Sequence, residues 1–547
     1  MSGLLPGLMM SMPLLVTSAL RHAAHYHGDV EVVTRTVEGP IHRSTYAEVW
    51  ARAQRLANAL AALGLQPGDR VGTLAWNTQR HMEVYYGVSG SGMVCHTVNP
   101  RLFPDQIAYI INHAQDAVLF TDLTFVPLLE GLAGQLAGVR AIVVMTDADH
   151  MPASDKLPGL LCYETLLAAQ PAVFDWPTFD ENTAASLCYT SGTTGNPKGV
   201  LYSHRSCILH AMAVCLPDVF ALSARDVAMP VVPMFHVNAW GFPYATPMVG
   251  AKLVLPGAKM DGASLHELIE SEGITATAGV PTVWMALLNW AEQNGKSLAP
   301  LKRVVIGGSA CPPVMIEQFR AHGAEVRHAW GMTETSPLGL ANVPKPKHDA
   351  LPPAERLAVE AKQGRPLFGV EFLIVDADDN PVPADGTSYG RLLVRGPWVC
   401  AAYFGVDSSP AHEAMPGWFE TGDVVTMDAD GYIQIVDRTK DVIKSGGEWI
   451  SSIDLENIAV SHPAVREAAV VARTDPKWGE RPLLVVVLKE GQTLTREAVR
   501  AHYEGKAAKW CIPDDVVIVD DLPHTATGKL LKAKIREMFK DYQPAEA

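Results

Sequence analysis

Cysteine is scarce: eight in 547 residues, with no C-x-x-C pair. That leaves no disulfide framework and no cysteine zinc site, and points to a reducing compartment. A surplus of positive charge is also missing. The formal net charge of −15 argues against nucleic acid and against electrostatic attachment to an anionic membrane, so bound anions must be met in local basic pockets. No stretch approaches the ~18 apolar residues that cross a bilayer. The apolar start, Met1 to Leu15, lacks a basic n-region and a cleavage site and is broken by Pro6 and Pro13, so a cytoplasmic protein is expected. Internal repeats and low-complexity tracts are absent too. What the chain does have is length for several subdomains and 48% hydrophobic residues to bury in them.

The most informative stretch runs from Leu187 to Val200. It packs three glycines, the hydroxyls of Thr190, Ser191, Thr193 and Thr194, and Lys198 between two short apolar runs. Glycine lets the main chain approach an anion and turn its N–H groups inward, hydroxyls add donors, and lysine adds a point charge. The stretch departs from a Walker loop, because Asn196-Pro197 precede the lysine and Gly199 follows it. Kinase and GTPase readings weaken accordingly. Val200-Leu201-Tyr202 reads as a second strand, with Ser203 as N-cap of a helix from about His204. The loop is therefore expected to join two strands.

Tyr189-Thr190-Ser191-Gly192-Thr193-Thr194-Gly195-Asn196-Pro197-Lys198-Gly199 resembles the AMP-binding signature of the adenylate-forming enzymes. Trp330-Gly331-Met332-Thr333-Glu334, Gly417 to Asp423 and Thr527-Gly528-Lys529 follow in that superfamily's order. Pro233 to Trp240 and Lys444 to Ser451 resemble its fatty-acyl branch, particularly bacterial medium-chain acyl-CoA ligases and methylthiopropionate-CoA ligases. The resemblance covers nearly the whole chain.

It implies ATP and CoA as substrates, Mg²⁺ as cofactor and a carboxylic acid as the third partner. Thr190, Ser191, Gly192, Thr193, Thr194, Gly195 and Lys198 would hold the β- and γ-phosphates. Thr333 would donate to the α-phosphate and Glu334 coordinate Mg²⁺, a hard cation that takes oxygen ligands. Trp330 stands where tyrosine is more usual, stacking on adenine beside Ala329, Gly331 and His328. Gly308-Ser309-Ala310 would be the other adenine wall. Asp423 and Arg438 would hold the ribose, near Ile435. Lys529 would be the catalytic lysine of adenylation. His236 would border the carboxylate, with Val237, Gly307, Pro281 and Pro337 around the acyl tail and Trp240 as its gate. His236 and Trp240, four apart, would face one side of a helical turn. The run Val280 to Trp284 is apolar enough to line the acyl pocket, and the lack of charge near His236 predicts an uncharged tail. Lys444, Ser445, Gly446, Gly447, Glu448 and Trp449 would border the CoA tunnel. Cys188 and Cys311, close to these motifs, read better as small buried residues.

The chain reads as mixed α/β. Helical patterns such as Tyr46 to Leu63, ending at Gly64, alternate with strand-like runs such as Arg70 to Leu74 and Ala117 to Thr121. The stretch 146–176, rich in Pro, Asp and Ala, reads as a surface connection. Short strands with Asp-Gly turns from Gly369 to Gly396 predict a small β-subdomain. The charged run Asp437 to Asp441 follows the strand Tyr432 to Val436. By resemblance it is a hinge pivoting at Lys440, dividing a large N-terminal domain (1–439) from a small mobile α+β lid (440–547). A homodimer through the N-terminal domain is also expected. A peptide-synthetase adenylation domain would hand its product to a fused carrier, whereas this chain ends eighteen residues after Lys529, which favours free CoA. A luciferase-like oxygenase and a non-catalytic nucleotide-binding protein are the alternatives from other classes.

Overall fold

The computed structural model describes residues 5, 7–190, 196–446, 448–524, 530–540 and 542. Of the residues named above, Met1, Pro6, Ser191, Gly192, Thr193, Thr194, Gly195, Gly447, Thr527, Gly528 and Lys529 lie outside that set, and so do the side chains of Glu448 and Trp449.

Local signals set the elements. The helix Tyr46–Ala62 opens on a capping box in which Thr45 Oγ1 accepts from Glu48 N (3.3 Å) and Glu48 Oε2 accepts from Thr45 N (2.8 Å). Val49, Ala53, Leu56 and Leu60 recur at three- and four-residue spacing and are fully buried. Gly64, with φ 80°, turns the chain beyond it. The strands Arg70–Leu74 and Asp116–Thr121 then pair in parallel. They belong to a seven-stranded sheet that reads, across its width, Leu161–Cys162, Ala141–Val144, Asp116–Thr121, Arg70–Leu74, Val94–Thr97, Ala184–Tyr189 and Gly199–Ser203. The last pair is antiparallel, so the Gly/Ser/Thr loop does join two strands. Ser203 caps the helix His204–Val214, its Oγ accepting from Ser206 N at 3.0 Å.

A nine-stranded sheet carries most of the remaining motifs. Its centre is parallel, through Glu325–Gly331, Arg303–Ile306, Ala276–Gly279, Val227–Pro230, Lys252–Leu255 and Glu31–Arg35. Antiparallel strands close both edges. In open parallel sheets the crevice outside the carboxyl ends of the strands is where ligands collect. Val231 to His236, Val280-Pro281 and Gly307 to Ala310 all leave this sheet at those ends. A four-stranded antiparallel sheet, Glu371–Val375 to Ile433–Arg438, forms the expected β-subdomain. A five-stranded sheet built around Val465–Asp475 and Gly479–Leu488 forms the smaller C-terminal domain. The fold is thus mixed α/β, a large N-terminal domain of several sheets followed by a small one.

One stretch differs from its expectation. The segment 146–176 contains the helix Tyr163–Ala168, and Tyr163 is fully buried, its hydroxyl donating to Glu83 Oε2 at 2.7 Å. Composition flagged a loop, but one aromatic with a buried acceptor pins a turn of helix to the core.

Replacing Ser203 with alanine removes the cap and is expected to cost about 1 kcal/mol, read as a lower urea midpoint for the N-terminal domain, with Ser203→Asp retaining most of it. An unchanged midpoint for Ser203→Ala would mean that the cap contributes nothing.

Candidate active site

The ends of the two large sheets and the C-terminal domain enclose a cleft of about 970 Å³. Thr190, Lys198, Thr333 and Glu334 line one part of it; Gly308, Ser309, Ala310, Ala329, Trp330 and Gly331 line another. His236, Val237, Trp240, Pro281, Gly307 and Pro337 line a third, and Arg438 and Lys440 approach from the hinge run. Motifs as far apart in sequence as Thr190 and Lys440 therefore meet in one place.

The corner around Thr190, Lys198 and Glu334 is held by backbone. The neck of the loop closes through Thr190 N donating to Lys198 O (2.9 Å) and Lys198 N donating to Thr190 Oγ1 (3.2 Å). Phe404 N donates to Gly199 O and Cys400 N to Glu334 O, both at 2.8 Å. Between these two bonds sits Tyr403, a residue the sequence reading missed because no motif marks it. Its hydroxyl donates to Glu334 Oε1 at 2.6 Å, and Lys198 Nζ lies 4.8 Å from its ring centroid. Glu334 Oε2 takes no hydrogen bond from any described residue. Burial and the neighbouring Glu334 carboxylate both push the Tyr403 phenol well above its ordinary range, so it stays a donor. Thr333 is fixed through its carbonyl, which accepts from Tyr202 Oη at 2.6 Å.

At a second corner the indole of Trp330 forms a wall, with Phe372 edge-on to it at 5.7 Å. Its Nε1 donates to Asp423 Oδ2 at 2.9 Å, while Asp423 Oδ1 pairs with Arg438 Nε at 2.6 Å. Asp423 is 1% exposed and lies behind Trp330 rather than on the cleft wall. Two further expected residues have side chains that lie away from the cleft. His328 does not reach the cleft: its Nδ1 donates to Ala361 O (2.9 Å), its Nε2 accepts from Cys311 N (3.3 Å), and burial pulls its pKa down to about 4, so the ring is neutral and structural. Ile435 packs into the cluster behind Trp330 and does not line the cleft either.

The apolar side is bounded by Trp240, Pro281, Val283, Met260 and Met285. Trp284 is not part of it; the side chain is fully buried in the opposite direction, against Gly279 and Phe319. Met285, one helical turn beyond Pro281, is the residue that four-residue spacing should have chosen. The segment from His236 to Trp240 also differs from expectation, because Val237, Asn238, Ala239 and Trp240 have φ values of 48°, 51°, 48° and 53°. The turn is left-handed. Charge is not absent there: the Arg101 guanidinium lies 5.6 Å from the centroid of Phe235, next to His236, and lines the cleft. Cys188 and Cys311 are buried as expected, and burial pushes the Cys188 thiol up to about 11.

The C-terminal domain contributes His524, Leu530, Lys532 and Arg536 to the cleft. His524 and Leu530 flank the segment that contains Lys529. Lys444 is exposed at the surface and does not line the cleft, whereas Ser445 and Gly446 line a separate hollow of about 670 Å³ with Lys477, Trp478, Arg481 and Trp510. Gly446 has φ 61°, and a Cβ there would stand 2.8 Å from the Trp478 ring, so only glycine fits.

A family model for AMP-binding enzymes matches residues 20–404, and one for the AMP-binding enzyme C-terminal domain matches 454–529. The chain is 54% identical over 536 residues to 3-methylmercaptopropionyl-CoA ligase of Ruegeria lacuscaerulensis, covering 98% of this chain and 99% of that protein. It is 52% identical over 536 residues to medium-chain-fatty-acid–CoA ligase of Ectopseudomonas oleovorans, covering 98% of each. The crystal structure of an anthranilate CoA ligase in complex with anthranoyl-AMP is similar with a TM-score of 0.86 at 25% identity, over 97% of this chain and 98% of that one. On these matches and the motifs gathered in its cleft, the chain belongs to the AMP-binding enzyme family.

Proposed function

We propose that this chain is an ATP-dependent acyl-CoA ligase. It joins a carboxylic acid to AMP with release of pyrophosphate, then passes the acyl group to CoA with release of AMP. The observation that carries this reading is a single cleft in which Lys198, Thr333 and Glu334 stand beside an apolar chamber bounded by Trp240, Pro281 and Met285. A carboxylate is a poor acyl donor, and attack of its oxygen on the α-phosphorus of ATP is opposed by charge repulsion. Positioned cations and donors lower that barrier most.

In this reading Thr190 and Lys198 hold the outer phosphates, and Thr333 donates to the α-phosphate. Glu334 fits Mg²⁺, since its Oε1 is fixed by Tyr403 while Oε2 stays available as a hard oxygen donor. The bound ion would supply positive charge against the triphosphate. Trp330 gives the adenine a stacking face. Lys529 is the lysine of adenylation, a role supported by His524 and Leu530 lining the cleft on either side of its segment. Arg438 holds the ribose, and Asp423 orients both Arg438 and Trp330.

CoA would enter the second half-reaction after the C-terminal domain turns at Lys440, so that 1–439 stays fixed and 440–547 moves. Support comes from Ser445 and Gly446, which line the separate hollow here and could reach the acyl group only after such a turn. The acid we propose is a medium-chain fatty acid, in keeping with an apolar chamber lined by Met260 and Met285. A short thioether acid, 3-methylthiopropionate, is the second reading, favoured by the relative at 54% identity. A cytoplasmic setting is supported by eight cysteines that are all free thiols, and no described helix is long and apolar enough to cross a membrane. A homodimer through the N-terminal domain belongs to the same reading.

Pyrophosphate release with a panel of straight-chain acids from two to fourteen carbons and 3-methylthiopropionate, with and without CoA, tests the function. Acid-dependent pyrophosphate release, with acyl-CoA formed only when CoA is added, is the expected result; no release with any acid would contradict it. Tyr403→Phe keeps the ring beside Lys198 and removes the donor to Glu334. It is expected to raise the Mg²⁺ concentration for half-maximal ATP-dependent thermal stabilisation by about tenfold, as loss of an outer partner of a metal ligand does, with the acid preference unchanged. An unaltered Mg²⁺ dependence would remove Tyr403 from this role.

A further inference from the structure

Four consecutive residues without a glycine among them, Val237 to Trp240, sit in the left-handed region. Each such residue crowds its Cβ against the following carbonyl, and a β-branched valine there is an outlier. Strain of this kind persists only where surrounding contacts over-determine it. Here the contacts converge on Asn238. Asparagine tolerates the left-handed region better than its three neighbours do, and this one is 4% exposed. Its Nδ2 donates to Ser186 Oγ at 3.2 Å. Its Oδ1 lies 3.3 Å from the Tyr85 hydroxyl and 3.5 Å from Cys188 Sγ. The Tyr85 hydroxyl has one proton, shared between that Oδ1 and the carbonyl of Met234 at the start of the same segment, and Ser186 donates onward to Cys95 O at 3.1 Å.

Asn238 does not touch the cleft, yet the residues two positions before and after it do. His236 and Trp240 line the acid side, and the Trp240 ring lies so close to Gly307 that a Cβ there would stand 3.1 Å from it. Ser186 lies in the strand Ala184–Tyr189, which runs directly into Thr190 and the phosphate loop. The amide therefore ties the wall that meets the acid to the strand that delivers the phosphates. Were the turn to relax to right-handed or extended backbone, the direction in which Trp240 projects would change, while the phosphate strand would stay where it is.

We propose that Asn238 is a positioning residue for acid selection: its amide, clamped between Ser186 and Tyr85, holds the strained turn that fixes His236 and Trp240 against the acyl chain. This rests on the ligase reading given above. Asn238 sets the acid preference without entering the site, and it leaves nucleotide binding alone.

Two variants test this with the full-length enzyme. Asn238→Gly tolerates the left-handed backbone but removes the clamp; Asn238→Leu keeps the volume, removes the clamp and disfavours the backbone. For both, kcat and KM are measured for the preferred acid and for acids two carbons shorter and longer, alongside KM for ATP and the thermal midpoint. One methylene of pocket fit is worth roughly 10–200-fold in discrimination. The expected result is therefore a fall of about tenfold or more in the ratio of kcat/KM between preferred and neighbouring acids, with KM for ATP within about twofold of wild type. Tyr85→Phe should flatten the acid profile in the same direction, and combining it with Asn238→Gly should add little, because both remove one clamp. An acid profile unchanged in Asn238→Gly with a normal thermal midpoint would overturn the proposal, and so would equal losses for every acid and for ATP. Failure of the ligase reading would look different, since wild-type enzyme would then release no pyrophosphate with any acid.

Discussion

Two backbone hydrogen bonds, Cys400 N to Glu334 O and Phe404 N to Gly199 O, hold together loops that lie far apart in the chain. The relative placement of Lys198 and Glu334 in the cleft depends on that stitch. The strand Gly199–Ser203 sits at the edge of one sheet, and the turn Thr333–Thr335 follows the strand Glu325–Gly331 of another. Tyr202 of the first strand donates to the Thr333 carbonyl at 2.6 Å, a first direct link between the two. The short segment from Cys400 to Phe404 registers both, and Tyr403, between the two bonds, reaches Glu334 with its hydroxyl and Lys198 with its ring. A side chain aligned by backbone on both sides loses little freedom when a ligand arrives, which is what electrostatic catalysis requires of it.

The chemistry sets the second constraint. A chain with a net charge of −15 must gather local cations where polyanions bind, and Lys198, Arg101, Arg438 and Lys440 reach one cleft from three parts of the sequence. Burial lowers the pKa of Lys440, the residue at the junction with the C-terminal domain. The apolar wall opposite rests on a different device, the strained turn anchored by Asn238. In the proposed function, nucleotide and acid would thus be held by structurally separate means that share one strand, Ala184–Tyr189.

Much of this was legible in the sequence, and for local reasons. The cap at Ser203, the strand Arg70–Leu74 and the strand–loop–strand setting of the phosphate loop follow from patterns within a few residues. So does the convergence of the motifs, once parallel strands end beside them. What escaped depends on contacts between distant segments or on features that spacing does not encode. Four-residue spacing suggested that His236 and Trp240 share a face, but spacing carries no handedness, and the turn winds the other way. Trp284 lies in an apolar run that does meet the cleft, yet helical rotation takes it into the core and brings Met285 forward. His328 sits beside the wall residue Ala329 and points away from the cleft, as a neighbour on a strand does. Tyr403 belongs to no recognised motif, and only its approach to Glu334 singles it out.

The central claim is that one cleft serves two half-reactions because the C-terminal domain turns at Lys440. Lys440→Pro tests it most directly, by fixing φ near roughly −65° at the one position whose backbone must take two conformations. The arrangement described here brings His524 and Leu530 to the cleft and keeps Ser445 and Gly446 away from it, so adenylation should survive in the variant. Acid-dependent pyrophosphate exchange should persist while acyl-CoA formation collapses. Near wild-type rates in both assays would contradict the account.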